Sequence, residues 1–120
     1  MKIVTTPITL QELQTMAKNI FGNLVKAVVD IDKQIMAVDG ELHADEEKYL
    51  IENGSRQSDL WGINLYPQLT KKDFIEYDSM INLRPTQNNF TRGITDPKIR
   101  KQITQIVKKL VKAWTTNIKI

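Results

Sequence analysis

Residues 24–40 read LVKAVVDIDKQIMAVDG. From Leu24 to Asp32 the chain alternates. Val25, Ala27, Val29 and Ile31 point one way, and Lys26, Asp30 and Asp32 point the other, with Val28 among them. A period of two over this length predicts a half-buried β-strand, because successive side chains leave opposite faces. Lys33-Gln34 lead into Ile35–Val38, a second short strand. Asp39-Gly40 reads as a hairpin turn, with Glu41–His43 as the return strand or the lead-in to a helix. Strands joined this tightly pair antiparallel.

Outward from this stretch, Ile3 and Val4 mark a short strand before Pro7. Thr9 and Glu12 stand at capping-box spacing, and Leu10, Leu13, Met16, Ala17, Ile20 and Phe21 form one apolar stripe. Helix 9–21 follows, ended by Gly22. Asp45 is the expected N-cap of a short helix 45–53, with Glu46 and Glu47 in its first turn. Leu60–Tyr66 is a strand closed by Pro67. Asp73–Arg84 is the longest predicted strand. Pro85–Thr95 is a loop of about eleven residues, near the length at which a structureless connection begins to signal function. Asp96-Pro97 then caps a helix 97–115. Its apolar residues, from Ile99 to Trp114, cover an arc of about 140° at about 100° per residue. Strands joined by short turns, with helices 9–21, 45–53 and 97–115 packed on them, make an α+β fold. No linker divides residues 1–120, which read as a single domain.

The chain has 120 residues, 17 Lys+Arg against 14 Asp+Glu, one His and no Cys. Disulfides, thiolate metal sites and a Cys nucleophile are excluded. No 18-residue apolar run is present, so a membrane-spanning helix is not expected. The N-terminus lacks the apolar stretch of a signal peptide, so a cytoplasmic setting is the expectation. Neither G-x-S-x-G nor a phosphate-binding G-x-x-x-x-G-K-[ST] occurs. The net charge of +3 is unevenly placed. Residues 97–120 hold seven bases and no acid, leaving ten bases and fourteen acids in residues 1–96.

The strings VDIDK (29–33), GELHAD (40–45), LWGINLYP (60–67), DSMINLRP (78–85) and RGITDP (92–97) are distinctive in combination. Together they resemble a family of short prokaryotic proteins known only as a domain of unknown function. The resemblance implies a single-domain cytoplasmic protein and carries no activity, cofactor or catalytic residue.

Two constellations and one surface remain. If residues 39–45 are extended, Asp39, Glu41, His43 and Asp45 share a face. Imidazole with carboxylates is a ligand set for a divalent metal or an acid–base pair. That reading gives a metal-assisted hydrolase or nuclease at Glu41, His43 and Asp45, with Asp30, Asp32 and Asp78 as further acids. The plainer alternative makes Asp39 a turn residue, Asp45 a cap, and Glu41 and His43 a solvated edge. Arg84, Asn88, Asn89, Arg92 and Gly93 form the second constellation. Paired arginines suit bidentate binding of carboxylate or phosphate, or else they pair with the chain's own acids. The surface is the lysine face of the last helix, with Lys98, Lys101, Lys108, Lys109 and Lys112. It fits phosphates, without the interleaved aromatics that stack bases. The leading expectation is a binding protein that meets an anionic partner, nucleic acid or acidic protein, through the Arg84/Arg92 loop and this helix. A homodimer is expected from base rates and from the apolar residues Ile118 and Ile120. A purely structural oligomer, its acids facing the lysines, is the third reading.

Overall fold

Small and β-branched side chains dominate residues 25–38, and they build the centre of the molecule. The computed structural model describes residues 1–112. In chain order, β1 (Lys2–Val4), β2 (Ile8–Thr9) and α1 (Leu10–Ile20) precede β3 (Val25–Asp30), β4 (Ile35–Val38) and α2 (His43–Glu52). Then come β5 (Leu60–Leu65), β6 (Ile75–Glu76), α3 (Pro97–Leu110) and β7 (Val111–Lys112). Five strands pair antiparallel in the order β1-β4-β3-β5-β6, and β2 and β7 form a separate parallel pair. The fold class is therefore α+β, with an antiparallel sheet.

Both faces of the sheet are covered. On one, Leu13 of α1 and Ile103, Ile106, Val107 and Leu110 of α3 share a core with Val25, Ala27, Val29, Trp61, Ile63 and Leu65. On the other, Leu50 of α2 packs with Val28, Ala37 and Leu60. β3 is thus buried on both sides, not on one. The polar face expected for Asp30 lies beneath α2. Asp30 survives burial because its carboxylate is saturated. Oδ1 accepts from the backbone N–H groups of Asp32 and Lys33, each at 2.9 Å, and Oδ2 accepts from Ser55 Oγ at 2.6 Å.

Local signals hold at two helix starts. Thr9 Oγ1 accepts from Glu12 N at 3.0 Å, and Asp96 Oδ1 accepts from Lys98 N at 2.8 Å. Other expectations are corrected. Helix 45–53 begins two residues earlier, at His43, behind an extended Leu42 that makes no side-chain cap, so Asp45 is a first-turn residue. Asp39-Gly40 does not open a hairpin. Asp39 takes φ 66° and the chain swings into α2, so residues 39–45 are not one extended run. The expected strand 73–84 shrinks to Ile75–Glu76. Beyond it Ser79 Oγ accepts from Ile81 N at 3.2 Å and bends the chain into a short 3-10 turn, Met80–Asn82. Helix 97–115 stops at Leu110, because Val111 turns extended and pairs with Ile8. Residues 113–115 of that expectation, with Trp114, Ile118 and Ile120, lie outside the described residues.

Candidate anion-binding surface

The first constellation does not assemble. His43 opens α2 and is buried. Its Nε2 lies 2.8 Å from Ile63 O, and a carbonyl only accepts, so Nε2 carries the proton. Burial holds its pKa below the usual imidazole value, against the opposing pull of the Ile63 carbonyl, so the ring is neutral. Glu41 and Asp45 are exposed. Asp78 reaches His43 only as a minor charge and pairs with Arg92, while Asp30 is tied into the hairpin turn. Among the described residues no three His, Asp or Glu side chains are arranged to hold a metal ion.

The second constellation proves to be a buried polar frame along the free side of β5. Asn82 supplies with its side chain what a neighbouring strand would supply with its backbone. Its Oδ1 accepts from Gly62 N at 2.8 Å, and its Nδ2 donates to Gly62 O at 2.9 Å and Arg92 O at 3.0 Å. Residue 62 must be glycine here, since a Cβ would stand 2.5 Å from that of Ser79. Asn89 donates to the carbonyls of Asn82, Thr91 and Gly93 and accepts from Thr95. Asn88 turns the loop in the left-handed conformation, φ 58°, and is exposed.

Arg84 does not stand on the surface to meet an anion. Nε donates to Ile81 O at 2.9 Å, Nη1 to Gln57 O at 2.9 Å and Gln87 Oε1 at 3.1 Å, and Nη2 to Leu60 O. Its guanidinium stacks 4.6 Å over the Trp61 ring and lies 3.8 Å from Glu47 Oε2. Burial lowers its pKa and raises that of Glu47, and each charge counteracts the shift of the other. Arg92 is exposed, but its Nε is 2.7 Å from Asp78 Oδ1. Both arginines therefore do what the plainer alternative said: they pair with the chain's own acids and fix the loop.

The lysines of α3 are placed differently. Its apolar arc seats Ile103, Ile106, Val107 and Leu110 against the sheet, which turns Lys98, Lys101, Lys108 and Lys109 outward, followed by Lys112 on β7. All five are exposed. Ion pairs join Lys2 to Glu12, Arg56 to Asp59, Arg84 to Glu47 and Arg92 to Asp78. Among the described residues Lys98, Lys101, Lys109 and Lys112 have no carboxylate partner.

One buried acid escaped sequence reading. Glu46, expected in a solvated first turn, is fully buried, and its pKa is pushed up to about 9 by desolvation. Its Oε2 accepts from Gly40 N at 3.0 Å, and Oε1 has no hydrogen-bond partner. The tight Gly40, where a Cβ would meet Glu46 Cγ at 2.8 Å, is the only sequence-level trace of it.

Fold and site together define an α+β protein with a sheet covered on both faces, its arginines engaged internally and one lysine-bearing helix turned to solvent. Residues 2–110 match the family described as "Protein of unknown function (DUF5674)", and the chain belongs to that family. No curated protein matches, and no solved structure matches. No helix among the described residues is long and apolar enough to cross a membrane.

Proposed function

We propose that this protein is a binding module that engages a nucleic-acid backbone through the lysine face of α3. One observation carries the reading: Lys98, Lys101, Lys109 and Lys112 are exposed without a carboxylate partner among the described residues, while Arg84 and Arg92 are paired. From Lys98 to Lys109 the helix runs about 16 Å at about 1.5 Å per residue, a length over which a nucleic acid presents several phosphates. A cytoplasmic setting belongs to this reading. The test is anisotropy of a labelled single-stranded oligonucleotide. With about four phosphates neutralised, affinity falls roughly fiftyfold between about 50 and about 200 mM salt. Affinity indifferent to salt overturns the reading. Tight binding of an acidic protein with none of the oligonucleotide would move the partner to protein.

A divalent-metal hydrolase at Glu41, His43 and Asp45 is not carried forward, since His43 is buried while Glu41 and Asp45 are exposed, and among the described residues no three His, Asp or Glu side chains are arranged to hold a metal ion.

A second reading, a homodimer, is favoured by one feature. Phe90 is 66% exposed, Met80 63% and Leu83 40%, on a loop held rigid by Asn82 and Asn89. The bridge between Arg84 and Asn89 sets Leu83 opposite Phe90. Between Met80 and Phe90 the one charge, Arg84, is buried, and Arg92 beyond it is paired with Asp78, which limits like-charge repulsion between two copies of this patch. Sedimentation of Phe90→Ser against wild type tests it: dissociation of a wild-type dimer supports it, and a monomeric wild type overturns it.

A further inference from the structure

The β3–β4 hairpin turn and α3 do not close on each other. Between them lies an open cavity of about 310 Å3, lined by Ile31, Gln34, Gln102, Gln105, Ile106 and Lys109. Three of these are carboxamides, and no hydrogen bond within the described residues engages them. The amides of Asn53, Asn82, Gln87 and Asn89, by contrast, all donate to backbone carbonyls.

Gln34 is the more telling lining residue. Its φ of 58° is the left-handed conformation that glycine or asparagine adopts most easily. It closes a tight turn in which its N–H donates to Asp30 O at 2.9 Å. A glutamine at this position strains the turn and sets a carboxamide at the cavity mouth.

The lining selects its ligand. Each carboxamide offers donors and an acceptor, Lys109 offers a cation, and Ile31 and Ile106 give an apolar floor. A bare anion would leave the amide acceptors to water, and an acyl chain would displace that water without replacing its hydrogen bonds. A flat heterocycle with an alternating donor–acceptor edge, joined to a phosphate, uses all of them. Glutamine reads base edges in this way. On the helix surface Gln102, Gln105 and Lys109 lie beside Lys98 and Lys101, at about 100° per residue.

We infer that this cavity is a nucleobase subsite of the lysine face, with the base edge on Gln34, Gln102 and Gln105, the ring over Ile31 and Ile106, and the phosphate on Lys109. The inference rests on the lysine face binding a nucleic-acid backbone. It adds that the ligand is a nucleotide unit with an accessible base, as in a single strand or a free nucleotide, and not a closed duplex.

The experiment compares a single-stranded oligonucleotide with inorganic polyphosphate of matched charge, on the full chain. Gln102→Ala/Gln105→Ala changes only exposed positions to the best helix former, so folding is retained. It weakens oligonucleotide binding about tenfold and leaves polyphosphate unchanged. Gln34→Gly relaxes the turn, keeps or raises the melting temperature, and still weakens the oligonucleotide. Competition by adenosine monophosphate assigns the subsite to a free nucleotide, and competition by oligonucleotide alone assigns it to a strand. Equal loss for both probes, or no loss for either, overturns the subsite while the lysine face stands. Binding of neither probe to wild type overturns the lysine face itself, and the subsite with it.

Discussion

Arg84 is buried beside Glu47 of α2, stacked on Trp61 and bonded to the carbonyls of Ile81, Gln57 and Leu60. Lys101 carries the same charge and stands in solvent on α3. Read along the sequence, both belong to one basic, anion-seeking surface; folded, they belong to different parts of the molecule. The guanidinium is planar and weakly hydrated, and its fork of donors can replace water with carbonyls on entering the interior. An ammonium is a compact, strongly hydrated charge, and it stays outside unless a partner replaces that shell. Burial and pairing, more than net charge, therefore decide which bases remain available to a partner.

The comparison breaks most sharply at Arg84. Arg84→Ala strips donors from the buried carbonyl of Leu60 and the partly buried carbonyls of Ile81 and Gln57, and leaves Glu47 without its counter-charge, costing about 3–5 kcal/mol. Urea unfolding measures this. A loss below about 1 kcal/mol would place Arg84 among the dispensable surface charges, in the range of exposed pairs.

Glu46 is a buried acid with no ion-pair partner among the described residues. Its folded pKa stands at about 9, against 4.5 ordinarily, so the native state keeps a proton that the unfolded chain releases. Stability contributed by that carboxyl is full below pH 4.5 and is lost as pH rises toward 9. Glu46→Gln keeps the acceptor for Gly40 and cannot ionise. It stabilises on the order of 3 kcal/mol at pH 7 and changes little at pH 4. Melting temperatures across that pH range test this, and a destabilised Gln variant at pH 8 would contradict it. His43 acts with the opposite sign. Its pKa is lowered by burial, so its contribution is lost as pH falls below 6.5.

Asn82→Ala comes next. It strips partners from both backbone groups of Gly62 and from Arg92 O, at about 2 kcal/mol. Hydrogen exchange at the Gly62 amide reports it most locally, by accelerating while β3 stays protected. Smallest is Arg92→Ala. Its pair with Asp78 is exposed on both sides and is worth under about 1 kcal/mol.

Particular elements show what the sequence could tell. α1 and the start of α3 are written locally, in Thr9 with Glu12 and in Asp96-Pro97, and both caps form as read. Residues 73–84 alternate like a strand, yet Ser79 bends the chain and Asn82 pairs through its side chain with Gly62, twenty residues away. Such pairing leaves no periodic trace. Glu46 looked like a helix-dipole residue because the closeness of Gly40, which buries it, is a tertiary fact. The lysine face was legible, since the apolar arc of α3 fixes its opposite side. The burial of Arg84 was not, since it depends on the carbonyls of Gln57 and Leu60, more than twenty residues away.

The central claim is that the lysine face, and not the arginine loop, meets the anion. Oligonucleotide affinity against salt, measured for Lys101→Glu/Lys109→Glu and for Arg92→Ala, tests it most directly. Wild type and Arg92→Ala should share a log–log slope near −3, as expected for about four phosphate contacts on a single strand, and the lysine variant should lose binding with that slope flattened. A lysine variant that binds with the wild-type slope, beside an Arg92→Ala variant that does not bind, would contradict it.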